Sequence, residues 1–385
     1  MRGPGARPVV IAAGGTGGHF FPAEALAAAL IARGERVALM TDGRSAALGS
    51  QVFANAERFT LHGSGLAGHG VLGAARGALA IARGTLEARR LLLELNPSAV
   101  VGFGGYPSVP PVVAARFVPA ARRPAVVLHE QNAVLGRANR GLARGADLLA
   151  LCFENTRRVP AGARAEVLGN PVRPAIAALH GAGYQGPGGT MRLLVLGGSL
   201  GARVFSDVVP AAIAALPDAL RARVEVVQQC RAEDLDRTRA AYAAAGVRAE
   251  LAPFFADVAA RLERAHLVVA RAGASTVAEI ACVGRPSILV PLPHAIDDHQ
   301  TENARSLSTA GAAQLMRQDS FTAESLGEAV KNCLRAPETL DEMARAAASL
   351  GRADAAERLA DRVLSLADVA SPLRGGSGSP LGKAA

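Results

Sequence analysis

Val9-Val10-Ile11-Ala12-Ala13 runs directly into Gly14-Gly15-Thr16-Gly17-Gly18-His19, and far along the chain Leu193-Leu194-Val195-Leu196 runs into Gly197-Gly198-Ser199-Leu200-Gly201. Each is a short apolar strand that ends in a glycine turn and opens a helix. Such a turn presents backbone N–H groups and the positive end of a helix, both suited to phosphate or to a developing oxyanion. One copy in each half of a 385-residue chain predicts two doubly wound, Rossmann-like parallel-sheet domains facing a cleft.

The rest of the sequence keeps that rhythm. Runs at 9–12, 37–40, 99–103, 125–128 and 148–151 read as buried strands, with helices at 21–33, 85–95 and 109–116 between them. Asn170-Pro171-Val172-Arg173-Pro174 and the glycine-rich stretch 181–189 break the pattern. It restarts at Arg192, with strands predicted at 193–196, 224–227, 249–251, 267–270 and 287–290, and helical spacing returns over 340–366. The expected division is an amino-terminal domain over 1–169, a linker over 170–190 and a second domain over 191–340. Carboxyl-terminal helices over 341–368, free to pack back on the first domain, and a disordered tail over 371–385 complete it.

Composition narrows the function. Half of the residues are hydrophobic, 19% are charged, and the net charge of +9 comes almost entirely from arginine, Lys331 and Lys383 being the only lysines. With no Trp and three Tyr, the chain lacks the clustered base-stacking aromatics of a nucleic-acid platform, so none is expected as partner. A basic surface is still drawn to anionic lipid headgroups. Cys152, Cys230, Cys282 and Cys333 are isolated, without metal-ligand spacing, and fit a reducing compartment. The apolar run after Arg7 stops after five residues, too soon for a secretory signal, and no run approaches the roughly 18 residues of a membrane span.

Several segments carry chemistry. His19 stands at the mouth of a helix, where an imidazole either takes a proton from an incoming hydroxyl or merely solvates the helix end. Gly104-Gly105-Tyr106 and His129-Glu130-Gln131-Asn132 fall just past predicted strand ends, the edge at which open α/β sheets bind ligands. Ala274-Ser275-Thr276-Val277-Ala278-Glu279 leaves a strand through Gly273 and offers donors to a diphosphate, with Glu279 accepting from ribose hydroxyls. The alternative there is a capping box formed by Thr276 and Glu279. His294, Asp297, Asp298, His299 and Gln300 form a dense polar cluster, read as sugar contacts in preference to a metal site. Asp234-Leu235-Asp236 matches the D-x-D of metal-dependent sugar transferases, but residues two apart on a helix do not face each other.

Taken in order, residues 14–19, 104–106, 129–132, 169–173, Gly197-Gly198-Ser199-x-Gly201-Ala202-Arg203 and Arg271-x-Gly273-Ala274-x-Thr276-Val277-x-Glu279 resemble the peptidoglycan glycosyltransferases of family 28, over roughly residues 8–366. The resemblance implies a GT-B fold and inverting transfer of N-acetylglucosamine from UDP-N-acetylglucosamine to the C4 hydroxyl of muramoyl-pentapeptide-diphosphoundecaprenol, converting lipid I to lipid II. It implies donor contacts from Thr16, Gly17, Gly18, Asn132, Arg173, Ser199, the Phe255 backbone, Ala274 to Glu279, His299 and Gln300. It places His19 as base with Glu130 next in line, and Gly104, Gly105, Tyr106 and His129 on the acceptor side. No cofactor or metal is implied. The implied location is peripheral, on the anionic cytoplasmic leaflet of the inner membrane, among cell-wall synthesis and division proteins.

Leu200 stands where that family commonly has Gln, Ser206 where Asn is usual, and His299 where some members have Gln. The first two leave that loop's backbone donors intact. Three rival readings stay open. A nicotinamide oxidoreductase would use the first loop and Asp42, although Phe20 replaces the third glycine of its fingerprint. A lipid-surface scaffold would use Arg76, Arg83, Arg89 and Arg90, and another GT-B enzyme, such as a sugar-nucleotide epimerase or a glycolipid synthase, would share the fold, the epimerase needing no acceptor.

Overall fold

Strands rich in Val, Leu and Ala form in this chain because a parallel strand covered on both faces by helices needs no polar alternation. The computed structural model of the chain describes residues 7–14, 17–43, 50–61, 71–198 and 201–370, with backbone alone for 71–75. The expected tail and the loop residues Gly15, Thr16, Ser199 and Leu200 lie outside the described residues. The first sheet holds β1 (Val9–Ala12), β2 (Val37–Thr41), β3 (Glu57–Thr60), β4 (Ala99–Gly102), β5 (Ala125–Glu130), β6 (Leu148–Leu151) and β7 (Ala165–Val167). Its order is β3-β2-β1-β4-β5-β6-β7, parallel throughout, with Val9 opposite Val37 on one side and Ala99 on the other. Helices α1 (Gly17–Ala32), α2 (Val71–Leu95), α3 (Gly105–Ala115) and α4 (Arg137–Leu142) connect it, and the short α5 (Pro174–Ala177) lies in the link to the second half.

The second sheet repeats the plan with β8 (Met191–Leu196), β9 (Val224–Gln229), β10 (Arg248–Ala252), β11 (Leu267–Ala270), β12 (Ser287–Leu289) and β13 (Ala313–Leu315), in the parallel order β10-β9-β8-β11-β12-β13. Its helices are α6 (Arg203–Ala214), α7 (Asp218–Arg221), α8 (Leu235–Ala244), α9 (Val258–Arg264), α10 (Ala274–Val283), α11 (His299–Ser308), α12 (Ala323–Arg335) and α13 (Pro337–Leu350), followed by α14 (Ala355–Val369). The winding direction reverses between β1 and β4 and again between β8 and β11. A doubly wound sheet opens its ligand crevice at the carboxyl ends of such neighbours. The glycine loops after β1 and β8 therefore sit at the two places the topology reserves for a ligand.

Three differences from the sequence expectations have physical reasons. Strand β5 runs on through His129 and Glu130, so these are its last two residues, both buried, and not a loop beyond its end. The edge strand β3, Glu-Arg-Phe-Thr, is mostly exposed and carries no apolar run to betray it. Helix α3 starts at Gly105, directly after β4, and α2 starts at Val71 and runs for 25 residues.

Each sheet is covered on both faces. In the first half, Leu26 and Leu30 of α1 join Val9, Ile11, Val101 and Val127 on one face, while Leu92 of α2 and Val112 of α3 join Val10, Val100 and Leu128 on the other. In the second half, Phe205 and Val209 of α6 with Leu326 and Val330 of α12 cover one face, and Val277 and Ile280 of α10 with Leu307 of α11 and Ala347 of α13 cover the other. Helix α14 then crosses back. Its Leu359, Ala360 and Val363 are fully buried in the first core against α1 and β4.

That helix also carries Arg362, half-exposed and paired with Glu166 at 2.8 Å. Leu359→Ala should lower unfolding free energy by about 2–5 kcal/mol in denaturant titrations, since it leaves a cavity in a packed core. Arg362→Ala should cost less than about 1 kcal/mol, as exposed ion pairs do. Equal costs for the two would mean that α14 is only loosely seated.

Candidate functional site at the facing glycine loops

Helix α1 begins at Gly17, which puts His19 in its first turn, half-buried, with Gly18 exposed beside it. His19 Nδ1 lies 2.9 Å from Gln131 Oε1. Gln131 Nε2 lies 2.9 Å from His129 Nδ1 and donates to the His129 carbonyl at 3.3 Å, and His129 Nε2 lies 3.0 Å from the Gly169 carbonyl. Burial pushes the His129 imidazole down to a pKa of about 4, so it is neutral near pH 7. On its other side the His19 ring faces Gly104 and Gly105, at φ +82° and +69°, where an added Cβ would stand 3.5 Å from the imidazole. Glycine at both positions permits this backbone and lets it approach the ring. Tyr106 follows with its side chain exposed.

Both carboxylate oxygens of Glu130 are engaged by N–H donors. Its Oε1 accepts from the Asn132 backbone N–H at 3.0 Å and from Asn132 Nδ2 at 3.1 Å, and its Oε2 accepts from the Gly136 N–H at 2.9 Å and from Asn139 Nδ2 at 3.0 Å. A buried carboxylate holding four donors is an anchor for the loop it closes. The sequence showed the acid but not its partner Asn139, buried on α4.

In the second half, α10 has Gly273 at its N-cap and no side-chain cap, and its first intrahelical bond runs from the Val277 N–H to the Gly273 carbonyl. The capping-box alternative is thereby corrected: Thr276 lies in the first turn instead of at the cap. Glu279 points elsewhere, accepting from Arg173 Nε at 3.0 Å and Nη2 at 2.9 Å. Burial raises the Glu279 carboxyl above its usual range, opposed by the Arg173 charge. The Arg173 guanidinium also sits 5.2 Å from the ring centroid of Phe21 on α1. The two helix starts meet, with Ser275 Oγ 3.4 Å from the Gly18 carbonyl. Ala274 and Val277 are buried, whereas Ser275, Thr276 and Ala278 are partly open.

Asn132 reaches across as well. Its side-chain oxygen accepts from Asn303 Nδ2 at 3.1 Å, Asn303 Oδ1 accepts from the Ala133 N–H at 2.8 Å, and Asn303 Nδ2 also donates to the Ala272 carbonyl at 3.1 Å. Asn303 is fully buried on α11, and sequence reasoning missed it; an amide among Ala304 and Leu307 on the inward face of a helix was the available signal. The loop after β8 is braced by Gln229, also missed, which accepts from the Gly197 N–H and donates to the Gly198 carbonyl. A Cβ at Gly197 would stand 2.5 Å from the Ala202 nitrogen, so the turn closes only on glycine. Ser206 is buried against Cys230 Sγ at 3.2 Å, turned into the protein. Phe255 is buried with the Arg261 guanidinium 3.9 Å from its ring centroid, while its neighbour Phe254, not singled out in the sequence, is 70% exposed.

The polar cluster over 294–300 is largely committed. Asp297 takes Arg140 and Arg158 at 2.6 Å each, two arginines of the first half that hold its carboxyl below the usual range. Asp298 accepts from Thr301, His299 Nδ1 lies 2.7 Å from the Ile296 carbonyl, and Gln300 Oε1 accepts from the Leu292 N–H at 2.9 Å. His294, Asp297 and Asp298 all have positive φ, a local strain typical of ligand loops. Among the described residues no three His, Cys, Asp or Glu side chains group as metal ligands. Asp234 and Asp236 diverge as expected, Asp234 onto Arg231 and Arg237 and Asp236 onto Arg239. A cavity of about 510 Å³ lies between the halves along α10 and α11, touching Val277, Ala278, Asn170 and Glu302.

Two family models match: the glycosyltransferase family 28 N-terminal domain over residues 9–150 and the C-terminal domain over 192–359. The chain is 58% identical over 371 residues, 96% of either chain, to the UDP-N-acetylglucosamine–N-acetylmuramyl-(pentapeptide) pyrophosphoryl-undecaprenol N-acetylglucosamine transferase of Granulibacter bethesdensis. It is 54% identical to the protein of the same name from Acidiphilium cryptum, over 95% of this chain and 98% of that one. The crystal structure of MurG from Acinetobacter baumannii superposes with a TM-score of 0.76 at 30% identity, covering 94% of this chain and 100% of that one. A putative UDP-N-acetylglucosamine 2-epimerase from Listeria monocytogenes, at 17% identity and a TM-score of 0.63, shares the fold alone. The fold is GT-B, and the matches overturn the nicotinamide reading of the first loop. The chain belongs to glycosyltransferase family 28, among its UDP-N-acetylglucosamine-dependent N-acetylmuramyl-(pentapeptide) pyrophosphoryl-undecaprenol transferases.

Proposed function

We propose that the protein transfers N-acetylglucosamine from UDP-N-acetylglucosamine to the C4 hydroxyl of a muramoyl-pentapeptide carried on undecaprenyl diphosphate, with inversion at the anomeric carbon. The observation that carries this reading is the meeting of two helix starts, α1 with His19 and α10, which has no side-chain cap, with Ser275, across the cleft between the halves. In this reading the diphosphate lies against the amides of Ala274, Ser275 and Thr276, where the helix end favours negative charge. Both Arg173 contacts fall on Glu279 Oε1, which leaves Oε2 for a ribose hydroxyl. Exposed Phe254 offers a face to the base, and the Gln300 amide nitrogen offers a donor to the sugar.

The acceptor hydroxyl attacks the anomeric carbon from the His19 side. The new C–O bond forms as the bond to the β-phosphate oxygen breaks, the proton passes to His19, and UDP leaves onto fixed donors that need no reorganisation. Glu130 serves as the anchor of this wall and not as the base. Incubation with labelled UDP-N-acetylglucosamine and a short-chain lipid I analogue should yield a labelled disaccharide-lipid; UDP release without that product would point to another reaction.

A second part of the reading concerns location. Among the described residues no helix is long and apolar enough to cross a membrane. On α2, Leu79 and Leu86 are 52% and 69% exposed, seven residues apart, with Arg76, Arg83 and Arg90 on the same side and Phe117 of the neighbouring loop 62% exposed. Residues 62–70, before α2, lie outside the described residues, while Ala88 and Leu92 hold the opposite face of α2 in the core. Exposed apolar side chains ringed by arginine suit the headgroup region of an anionic cytoplasmic leaflet, where a lipid-linked acceptor resides.

Three outcomes are expected. His19→Ala should lower kcat by about 10²–10⁴-fold with little change in donor affinity; a kcat within a few-fold of wild type would place the base elsewhere. Glu279→Gln, which keeps a hydrogen-bond acceptor for Arg173, should weaken UDP-N-acetylglucosamine binding by about 1–3 kcal/mol in calorimetry while the melting midpoint holds; a lowered midpoint with unchanged affinity would make Glu279 structural. Arg76→Glu/Arg83→Glu should reduce binding to anionic liposomes and leave turnover of a soluble acceptor analogue intact, whereas undiminished liposome binding would exclude this surface.

A further inference from the structure

We infer that Gln131 and His129 are positioning residues that lock the neutral tautomer of His19, keeping its proton on Nδ1 and its lone pair on Nε2, against Gly105. The inference rests on His19 being the base, and it follows from the order of donors and acceptors along one buried chain.

The chain starts at a group whose role is fixed. A carbonyl oxygen only accepts, so the nitrogen 3.0 Å from the Gly169 carbonyl, His129 Nε2, carries hydrogen. A second proton on His129 Nδ1 would face the Gln131 side-chain nitrogen at 2.9 Å, donor against donor, in a site that excludes water. His129 is therefore neutral, in keeping with its depressed pKa, and its Nδ1 lone pair accepts from the Gln131 amide. The same amide nitrogen reaches the His129 carbonyl at 3.3 Å, a second group that only accepts. Two acceptors on one side fix the amide's orientation, so Gln131 Oε1 must be the atom 2.9 Å from His19 Nδ1. An amide oxygen only accepts, and His19 Nδ1 must donate.

The far end is held to the first sheet, since the Leu168 and Gly169 N–H groups both donate to the Leu151 carbonyl on β6. His19 Nε2 is then the ring nitrogen that remains, 3.5 Å from where a Cβ on Gly105 would stand. A solvent-exposed neutral histidine side chain favours the other tautomer, with hydrogen on Nε2, in which the lone pair would point back at Gln131. When His19 takes the acceptor's proton on Nε2, its Nδ1–H bond to Gln131 persists and no other group in the chain changes state. The chain sets orientation and passes no proton, so the base is ready before the acceptor arrives.

The test is the tautomer itself, read from long-range proton–nitrogen correlations in protein labelled with ¹⁵N-histidine, with His19 assigned by comparison with His19→Ala. Wild-type His19 should be protonated on Nδ1 and His129 on Nε2. Gln131→Leu should convert His19 to the Nε2-protonated form and lower kcat at least about 10-fold, with the KM for UDP-N-acetylglucosamine changed by less than about threefold. Wild-type His19 protonated on Nε2 would overturn the inference even if Gln131→Leu fails to fold, as would an unchanged tautomer in that variant or a changed one with unaltered kcat. Full turnover by His19→Ala would instead refute the base assignment and leave the measured tautomers standing.

Discussion

A single buried carboxylate organises the centre of this molecule. Glu130 ends β5 and gathers four N–H donors from Asn132, Gly136 and Asn139. Removing it would leave the buried Asn139 amide short of a partner, at roughly 1–3 kcal/mol, and release the part-buried donors of Asn132 and Gly136. The turn it closes sets the direction of Gln131 toward His19 and of Asn132 toward Asn303. The same closure thus fixes the wall of the cleft in the first half and its contact with the second.

Apart from the return of α14 and the packing of Phe153 on the second core, what joins the halves is largely polar. Arg140 and Arg158 on Asp297, Arg157 on Glu302, Arg173 on Glu279 and the Asn132–Asn303 amide pair are its main named links. The arginines on Asp297 and Glu302 are partly exposed, so each of those ion pairs contributes about 1 kcal/mol or less, whereas Glu279 is buried. The cores within each half are apolar and close-packed by contrast. An interface of that kind permits the halves to open and close around a ligand with little loss of stability, the ordinary behaviour of polar interdomain contacts.

Much of this was legible from residues alone, and what was not has specific causes. Strands β1 and β11 could be bounded to the residue because each is a fully buried apolar run stopped by glycine or arginine. Strand β3 was invisible because an edge strand facing solvent has no apolar signature. The end of β5 was misplaced for the opposite reason: His129 and Glu130 are polar side chains satisfied inside the protein, and polarity in sequence looks like exposure. The same blindness applies to roles. Thr276 and Glu279 have the spacing of a capping box, but the cap falls at Gly273, and Glu279 is claimed by Arg173, over a hundred residues away in sequence. The glycine loops were the most readable part because glycine adopts the positive φ of Gly104 and Gly105 without strain and alone permits the closure at Gly197.

The return of α14 to the first sheet has a consequence for how the protein is made. The core around Val9, Ile11 and Val127 lacks one wall until Leu359, Ala360 and Val363 arrive, more than 200 residues after the last strand of that core has been synthesised. The first half therefore emerges from the ribosome with an open apolar face and must wait for the second to be translated before it closes. During that interval the nascent chain exposes the surface on which chaperones act, and its final folding step joins the two ends of the polypeptide.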